Sequence, residues 1–334
     1  MRSIQPYLEA KGDCRVVWVL RDKDVACQLA DRFGIEYIVI SKAATGFVGN
    51  AWELFVNIFR CMKLTRRLGI DVWLTKYGSG NIAAALMGRT SIAFNDDDVD
   101  QVPLIALTSY PFARAVLCPD VLRMGKYDDK ARRYPACHEL FYLHPNRFTA
   151  DEGIYQELGL EKGERFVLVR LSALTAHHDA NIRGLSDQAI RSLLTLCESL
   201  EVACFISSEK PLPDHLKPYQ LSLAVDRVHH ALYYASLFVG DSQTMTSEAA
   251  VLGTPAVRYS DFKGRLSVID ELERYGLTVA ISPDHPDELI AQVESFLQGD
   301  GREAFDRAHK AFMADKIDPA PWFANQIKNL SKDG

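Results

Sequence analysis

Short apolar runs alternate with helix-like segments along most of the chain, and this alternation restricts the fold more than any other feature of the sequence. The runs are four to six residues long and mostly apolar, which is typical of strands that are covered on both faces. Strands of this kind belong to parallel sheets, with the intervening helices packed on the two sides. The predicted strands are 15–20, 36–40, 72–75, 91–94, 115–118, 166–171, 203–207, 237–240, 255–259 and 278–281. The predicted helices are 22–33, 51–68, 81–87, 187–200, 244–252 and 286–297.

The alternation breaks once, at residues 124–150, where charged, aromatic and proline residues replace the apolar runs. We therefore predict an α/β fold with two doubly wound, Rossmann-like domains, residues 1–150 and 151–334. Ligands of such folds bind beyond the carboxyl ends of the strands, so the cleft between the domains is the expected site. The chain starts with a helical segment, and the first strand of the first domain is expected to be missing. The last predicted helix, 321–330, is expected to cross back onto the first domain.

Composition excludes several classes of protein. The 334 residues are 48% hydrophobic and 25% charged with a net charge of −6, which is ordinary for a globular protein and argues against a general nucleic-acid binder. No run of about 18 apolar residues occurs, so no membrane-spanning helix is expected. The seven cysteines form no Cys-x-x-Cys pair and are interpreted as reduced thiols of a cytoplasmic protein. The lack of His-Glu-x-x-His and Gly-x-Ser-x-Gly motifs weakens the metalloprotease and serine-hydrolase alternatives.

The stretch VGDSQTMTSEAAVLGTPAV, residues 239–257, carries the clearest functional pattern. A short apolar strand leads into hydroxylated residues, with Ser242 or Thr244 as the N-cap of a helix that Gly253 ends. Free amide groups at a helix N-terminus bind anions, which here suits a diphosphate, and Glu248 can accept hydrogen bonds from a ribose diol. The ordinary structural alternative is a well-capped corner between a strand and a helix.

This stretch resembles the donor-nucleotide motif of the GT-B superfamily, which includes sugar-nucleotide glycosyltransferases and the non-hydrolysing UDP-N-acetylglucosamine 2-epimerases. The epimerase pattern is Asp-Ser-Gly-Gly-x-x-Glu-Glu-Ala followed by Leu-Gly-x-Pro. The matching positions are Asp241, Ser242, Glu248, Ala249, Leu252, Gly253 and Pro255. Gln243 and Thr244 replace the two glycines, and Ser247 replaces the first glutamate. The resemblance implies a GT-B arrangement of two domains and a nucleotide site made of Asp241, Ser242, Gln243, Thr244, Glu248 and His229.

Within that site, the resemblance implies that Ser242 and the amides after it face phosphate, that Glu248 holds the ribose and that His229 flanks the base. Because Gln243 and Thr244 carry side chains, the anion is expected to meet hydroxyl and amide groups as well as backbone NH. His230 is better explained as a satisfied structural histidine.

A narrower resemblance covers nearly the whole chain. The segments LRDKDV, SIAFND, HELFYLHPNRF, HHALYYASLFVGDS and SEAAVLGTPA are similar to an uncharacterised prokaryotic family, domain of unknown function 354. That family is thought to have a GT-B-like fold, and its activity is not established. Its members usually begin with a strand and a histidine-containing loop that this sequence lacks, so no role of that loop is carried over.

Residues 170–181, RLSALTAHHDAN, follow the first strand of the second predicted domain. Arg170 and His177 are predicted to stabilise the charge of a leaving phosphate, with His178 and Asp179 beside them. The segment loosely resembles the Thr-x-His-Arg-x-x-Asn loop of the epimerases. The alternative is a solvated loop.

Four acids fall within five positions in FNDDDVD, residues 94–100, at the end of a predicted strand. One interpretation is a Mg²⁺ site, since clustered carboxylates suit that ion. A second is a general base, since crowded carboxylates raise each other's pKa. A third is an acid-rich helix N-terminus, which explains Asp97 and Asp98. We assign the base to Asp96, which lies near the epimerases' glutamate by resemblance, and we expect no bound metal or other cofactor, as is general for GT-B enzymes.

The segment TKYGSGN, residues 75–81, offers a weaker signal. Its glycines could cradle an anion that Lys76 neutralises, but a tight turn is the simpler explanation.

The leading functional hypothesis is glycosyl transfer from a nucleotide sugar in surface-polysaccharide synthesis. Epimerisation at C2 of a UDP-sugar and non-catalytic binding of a nucleotide sugar stay open as alternatives. The acceptor is expected to be a sugar or a lipid-linked sugar. Peripheral membrane contact through residues 51–68, including Lys63, Arg66 and Arg67, is one option for such an acceptor.

Overall fold

The computed structural model describes residues 2–10, 12, 14–23, 26–44, 46–172, 183–261, 264, 266–299 and 301–332. Internal contacts divide the chain into two compact units, Met1–Phe141 with Ile317–Gly334 and Tyr142–Lys316. Both units consist of parallel strands joined by helices, so the predicted α/β class is confirmed.

The strands in chain order are β1 (Trp18–Asp22), β2 (Tyr37–Lys42), β3 (Val72–Thr75), β4 (Thr90–Phe94), β5 (Ala115–Pro119), β6 (Ala131–Tyr134), β7 (Phe166–Leu171), β8 (Ala203–Ser208), β9 (Leu237–Gly240), β10 (Ala256–Tyr259) and β11 (Thr278–Ile281). The helices are α1 (Gln5–Glu9), α2 (Ala26–Arg32), α3 (Gly46–Leu68), α4 (Gly78–Leu86), α5 (Pro103–Ser109), α6 (Leu140–Leu143), α7 (Ile154–Glu157), α8 (Asp187–Ser199), α9 (Val228–Tyr234), α10 (Gln243–Leu252), α11 (Ser267–Tyr275), α12 (Pro286–Gln298), α13 (Arg302–Asp315) and α14 (Pro319–Lys332). Short 3-10 turns lie at Arg2–Ile4, Tyr110–Phe112, Gly125–Lys130, Asp214–Tyr219 and Val225–Arg227.

In the first unit, β1 and β2 pair in a two-stranded sheet, and β3, β4, β5 and β6 follow one another in a four-stranded sheet. Helix α3 packs one face on these strands, burying Cys61 beside Trp73 of β3. The indole of Trp73 donates to Thr65 Oγ1 at 2.9 Å, so the buried polar atoms of that contact are satisfied. The expected absence of a first strand before β1 stays a prediction.

The C-terminal helix α14 packs within the first unit. Its Phe323 ring lies 5.4 Å from Tyr134 and 4.8 Å from Phe141, measured between ring centroids. All three side chains are almost fully buried, which makes an aromatic core for the end of the four-stranded sheet.

The second unit holds a five-stranded sheet in the order β11-β10-β9-β7-β8. Its core includes Val167 and Val169 of β7, Val239 of β9 and Leu193 of α8, all fully or nearly fully buried. The chain runs from β7 outward to β8, then crosses to the other side of β7 and continues with β9, β10 and β11. The strand order therefore reverses between β7 and β9, and a ligand crevice forms at such a point in open α/β sheets.

Of the described helices, none is both long and apolar enough to cross a membrane.

Candidate functional site

The corner between β9 and α10 lies at the point where the strand order reverses. Ser242 is the N-cap with extended backbone (φ −79°, ψ 122°), and its Oγ accepts from the Met245 amide at 3.4 Å. Thr246 Oγ1 donates to the Ser242 carbonyl at 2.7 Å. The helix ends at Gly253 in a left-handed conformation with φ 88°. Of the two predicted caps the structure uses Ser242, and Thr244 belongs to the first helical turn.

The first turn of α10 carries backbone amides that are open to a ligand. The amides of Gln243 and Thr244 donate to no described atom, since the Ser242 side chain is used at Met245. Gln243 is partly exposed and Thr244 exposed. Two amides at the positive end of a ten-residue helix favour an anion there.

Asp241 ties the ends of β7 and β9 together. Its Oδ1 accepts from the Ser172 amide at 2.7 Å, and the side chain is buried. Burial raises the pKa of Asp241 above its ordinary value, although the Ser172 amide acts in the opposite direction. Gly184 lies against this carboxylate, because a Cβ at that position would approach Asp241 Oδ2 to 2.4 Å. Asp241 thus shapes the site as a buried linker rather than as an open ligand group.

The far end of the loop after β7 is held by an ion-pair network. Arg183 donates to both carboxylate oxygens of Asp261, at 3.1 and 2.9 Å, and to Asp284 at 2.8 Å. The predicted residues His177, His178 and Asp179 lie between these ends, outside the described residues.

Glu248 projects from the second turn of α10 and is buried. Its Oε1 accepts from the Tyr142 hydroxyl at 2.8 Å and lies 3.0 Å from His229 Nε2. Because a carboxylate oxygen only accepts hydrogen bonds, we assign the imidazole proton to Nε2. No described group donates to Oε2. The sequence singled out Glu248 and His229 separately, and the structure brings them together. It adds Tyr142, which sequence reasoning missed although the residue lies within a segment that carries the family resemblance.

The neighbouring His230 has a structural role, as expected. Its Nδ1 accepts from the Asp151 amide at 3.0 Å. Burial, and secondarily the charge of Arg227, lowers the pKa of His230, so the ring is held in the neutral form that can accept this bond.

Arg170 is occupied on the opposite side of β7. Its guanidinium donates to Ser207 Oγ within β8 and to Glu209 Oε1 just after that strand, each at 2.7 Å. The predicted contact of Arg170 with phosphate stays a prediction.

Arg258 is a buried cation that sequence reasoning missed. It lies on β10 beside Gly240 in the sheet register and is almost fully buried. Burial lowers the pKa of Arg258 to about 10, while the carboxylate of Asp241 raises it, so the side chain is charged at neutral pH. An arginine in the middle of an apolar strand was the available signal in the sequence.

In the first unit, the acidic run is divided among separate partners. Lys76 Nζ pairs with Asp96 and, at 3.1 Å, with Asp97. Asp98 is buried and pairs instead with Arg123 at 2.9 Å, which holds the loop after β4 to the loop after β5. The explanation of Asp97 and Asp98 as a helix N-terminus is wrong, because the next helix begins only at Pro103.

The electrostatics of Asp96 also differ from expectation. Burial raises the pKa of Asp96, but the charges of His138 and Lys76 lower it by more, so it stays below its ordinary value. The prediction that crowded carboxylates raise this pKa is therefore wrong, because Lys76 lies between Asp96 and Asp97. Burial lowers the pKa of His138 to about 4, which leaves Lys76 as the cation beside Asp96 at neutral pH.

A magnesium site at this run finds no support, because the Lys76 ammonium already pairs with two of the carboxylates. Within the described part of the chain, no group of three or more His, Cys, Asp or Glu side chains is arranged to hold a metal.

The glycines at 78 and 80 allow close packing around the start of helix α4. A Cβ on Gly78 would lie 2.6 Å from the Thr108 carbonyl, and one on Gly80 would lie 3.1 Å from the Trp73 ring. These glycines open helix α4, so a tight turn does not describe them, and an anion at this helix start stays a prediction.

No family model and no curated protein matches the chain. Solved structures do match. The UDP-GlcNAc 2-epimerase of Neisseria meningitidis, solved with UDP-GlcNAc bound, is 11% identical, with a TM-score of 0.71 over 98% of this chain and 95% of that one. The UDP-GlcNAc 2-epimerase of Methanocaldococcus jannaschii is 12% identical, with a TM-score of 0.62 over 88% of this chain and 89% of that one. MurG of Acinetobacter baumannii is 16% identical, with a TM-score of 0.57 over 98% and 94%.

These likenesses define the fold. The chain is an α/β protein of the GT-B fold class with two Rossmann-like domains, as the sequence predicted. The resemblance to domain of unknown function 354 stays a prediction, because no family model supports it.

Proposed function

We propose that this chain is a sugar-nucleotide enzyme whose donor site lies at the β9–α10 corner of the second unit. One observation carries the proposal: open amides at a helix N-terminus coincide with the reversal of strand order, and the buried carboxylate of Glu248 lies one turn further along the same helix. An ordinary connection between a strand and a helix requires an N-cap and a C-terminal glycine. It does not require a buried glutamate that is hydrogen-bonded to Tyr142 and His229.

The diphosphate of the donor is assigned to the first turn of α10. The amides of Gln243 and Thr244 donate to it, and the hydroxyls of Ser242 and Thr244 are available beside them. The helix dipole favours the negative charge, and Arg258 of β10 offsets the charge of Asp241. His177 and Arg170 are proposed to add positive charge as the diphosphate leaves.

The ribose is assigned to Glu248. Tyr142 and His229 both donate to Oε1, which fixes the carboxylate and leaves Oε2 as the acceptor for a ribose hydroxyl. Tyr142 and His229 are positioning residues in this scheme, and the His229 ring is also proposed to lie against the base.

The reaction we propose is glycosyl transfer. The bond between the anomeric carbon and the diphosphate oxygen breaks, and a bond to an acceptor hydroxyl oxygen forms. The hydroxyl proton passes to the Asp96 carboxylate, and the electron pair leaves with the nucleoside diphosphate, whose charge α10 stabilises. Asp96 is ionised at neutral pH, since its pKa lies below the ordinary value. Surface-polysaccharide synthesis in the cytoplasm is the proposed setting, and the seven cysteines, which are thiols rather than disulfides, support a reducing compartment.

Binding is tested first, by thermal shift with UDP-, GDP- and dTDP-sugars. UDP-sugars are the first candidates, because the Neisseria meningitidis structure contains UDP-GlcNAc. At a ligand concentration of about 100 times Kd, we expect about 2.7 kcal/mol of stabilisation. Glu248→Gln is expected to abolish most of this ligand-induced shift.

The matched control is Glu271→Gln. Glu271 is another buried glutamate of the second unit, paired with Lys316 at 2.5 Å. Its substitution should lower the melting temperature of the free protein and leave the ligand-induced shift unchanged. The proposed site is wrong if no nucleotide sugar shifts the melting temperature, or if both substitutions reduce the shift equally.

Product analysis then separates the reactions. Release of nucleoside diphosphate that depends on an added acceptor supports transfer. Interconversion of C2 epimers without release would show an epimerase, and binding without turnover would show a non-catalytic protein.

A further inference from the structure

Helix α3 exposes a row of large apolar side chains, which we call the aromatic face. Val48, Trp52, Phe55 and Phe59 are 79, 66, 52 and 56% exposed. Their spacing of four, three and four residues places them on one side of the helix. The rings contact one another, with 5.8 Å between the centroids of Trp52 and Phe55 and 4.9 Å between those of Phe55 and Phe59.

The aromatic face is additional to the face that α3 packs on the first unit. Glu53, Asn57, Cys61 and Leu64 are buried on that inner side. A surface helix of a globular protein has one apolar stripe toward the core, so a second apolar stripe toward solvent indicates an external partner.

The C-terminal half of the same helix is strongly cationic. The exposed cations are Arg60, Lys63, Arg66 and Arg67. The last three form no ion pair with any residue that the structure describes. A cavity of about 460 Å³ lies between α3 and β2, and Lys42, Arg60, Lys63 and Arg67 line it without any carboxylate. Arg60 is fixed there by donating to the Ile40 carbonyl at 2.5 Å.

We propose that α3 docks the protein on an anionic lipid surface, with the aromatic face in the interfacial layer and the cationic cavity on a headgroup phosphate. The helix is about 34 Å long and would lie in the plane of the membrane. A tryptophan beside phenylalanines suits the boundary between headgroups and acyl chains. This inference goes beyond the proposed donor site and does not depend on it.

Charge favours lipid over a second copy of the chain. The one acid on α3, Glu53, is buried and paired with Arg21. The same face of a second copy would offer no carboxylate to the cations, whereas anionic lipid supplies phosphate at every headgroup.

The test is co-sedimentation of the full chain with vesicles of phosphatidylglycerol or of phosphatidylcholine. We expect at least about tenfold stronger binding to phosphatidylglycerol, weakened by added salt. Tryptophan emission should shift to the blue on binding, because Trp52 is more exposed than the buried Trp73. This fluorescence measurement uses the parent protein and requires no substitution.

Two double variants separate the contributions. Trp52→Ser with Phe55→Ser removes the apolar contact, and Lys63→Glu with Arg67→Glu reverses two charges. Each is expected to weaken binding to phosphatidylglycerol by about tenfold or more. All four side chains are exposed, so the circular dichroism spectrum and melting temperature should stay those of the parent.

The controls are Tyr233→Ser, an exposed aromatic of the second unit, and Lys310→Glu with Lys332→Glu, which changes the net charge equally. These variants should bind as the parent does. The proposal is overturned if the parent does not bind phosphatidylglycerol vesicles or if the controls lose binding to the same extent. It is also overturned if sedimentation velocity shows a dimer that Trp52→Ser with Phe55→Ser dissociates.

Discussion

Glu53 is a buried carboxylate on α3 that links this helix to the ends of β1 and β2 by hydrogen bonds. Arg21 at the end of β1 donates Nε and Nη2 to its two oxygens, each at 2.6 Å. Ser41 at the end of β2 donates at 2.6 Å, and the Ala44 amide donates at 2.9 Å. Burial alone raises the pKa of Glu53, but the Arg21 ion pair and the other donors lower it to about 2.

This pKa fixes the direction of a pH effect on stability. The folded pKa lies below the ordinary value of 4.5, so the contribution is complete above pH about 5 and is lost as the pH falls toward 2. Glu53→Gln is expected to lower the free energy of unfolding by about 2 kcal/mol at neutral pH. The difference from the parent should narrow below pH about 4, and urea denaturation across the pH range measures it.

An exposed glutamate provides the control for Glu53→Gln. Glu303→Gln on α13 should leave the free energy of unfolding unchanged at both ends of the range, because that side chain is almost fully exposed. A gap between Glu53→Gln and the parent that stays constant down to pH about 3 would contradict the assigned pKa.

Local motifs in the sequence identified individual site residues but not their partners. Glu248 follows from the strand-to-helix pattern around it, and Asp96 from the acidic run at the end of a predicted strand. Their partners lie 106 residues away at Tyr142, 19 away at His229 and 20 away at Lys76. Such contacts depend on which strands become neighbours in the sheet. Local sequence patterns do not show the order of the strands. For this reason the pKa of Asp96 was predicted in the wrong direction.

At the scale of elements, the apolar runs predicted most strands to within a few residues. β3, β7, β9 and β11 begin and end at the predicted residues, since a continuous apolar run bounded by turns leaves little freedom. The order of the strands, and with it the place of the ligand crevice, could not be read from the runs. β6 was missed altogether, because Arg132 and Arg133 interrupt its apolar pattern.

Substitution of Gly253, the glycine that ends α10, measures how tightly the end of this helix is packed. Gly253 has φ 88°, and a Cβ there would lie 3.2 Å from the His309 ring. Gly276 ends α11 with φ 77° and has open space around it. Gly276→Ala should cost about 1 kcal/mol for backbone strain alone, and Gly253→Ala should cost more. Chemical denaturation measures both, and equal losses would show that the His309 contact is unimportant.

At the scale of the whole molecule, the last helix returns to the unit that contains the N-terminus. Phe312 on α13 and Phe323 on α14 are both fully buried, yet they lie in different units. The change of unit falls between them, at Lys316 and Ile317, where the Ile317 amide donates to the Pro135 carbonyl at 3.0 Å. The sequence analysis assigned residues 151–334 to the second domain and expected the last predicted helix, 321–330, to cross back onto the first.

The division into two units predicts that each unit unfolds in its own transition. Each unit has its own core, so we expect two unfolding transitions in denaturant. Phe323→Ala should destabilise one transition and Phe312→Ala the other, each by roughly 3–5 kcal/mol, because each removes a fully buried ring. Denaturation followed by fluorescence and circular dichroism measures this. The assigned division is wrong if both substitutions shift the same transition and leave the other unchanged.

The arginines that concealed β6 in the sequence also protect it. β6 is an edge strand, and an open edge is a template on which other chains can add strands and aggregate. Arg132 and Arg133 are exposed, and Arg133 bends back to donate to the carbonyls of Asp120 and Leu122 at 2.7 and 2.9 Å. Arg133 is also paired with Asp128, but charged side chains on so short an edge still disfavour the approach of another strand, so β6 is protected as the last strand of its sheet.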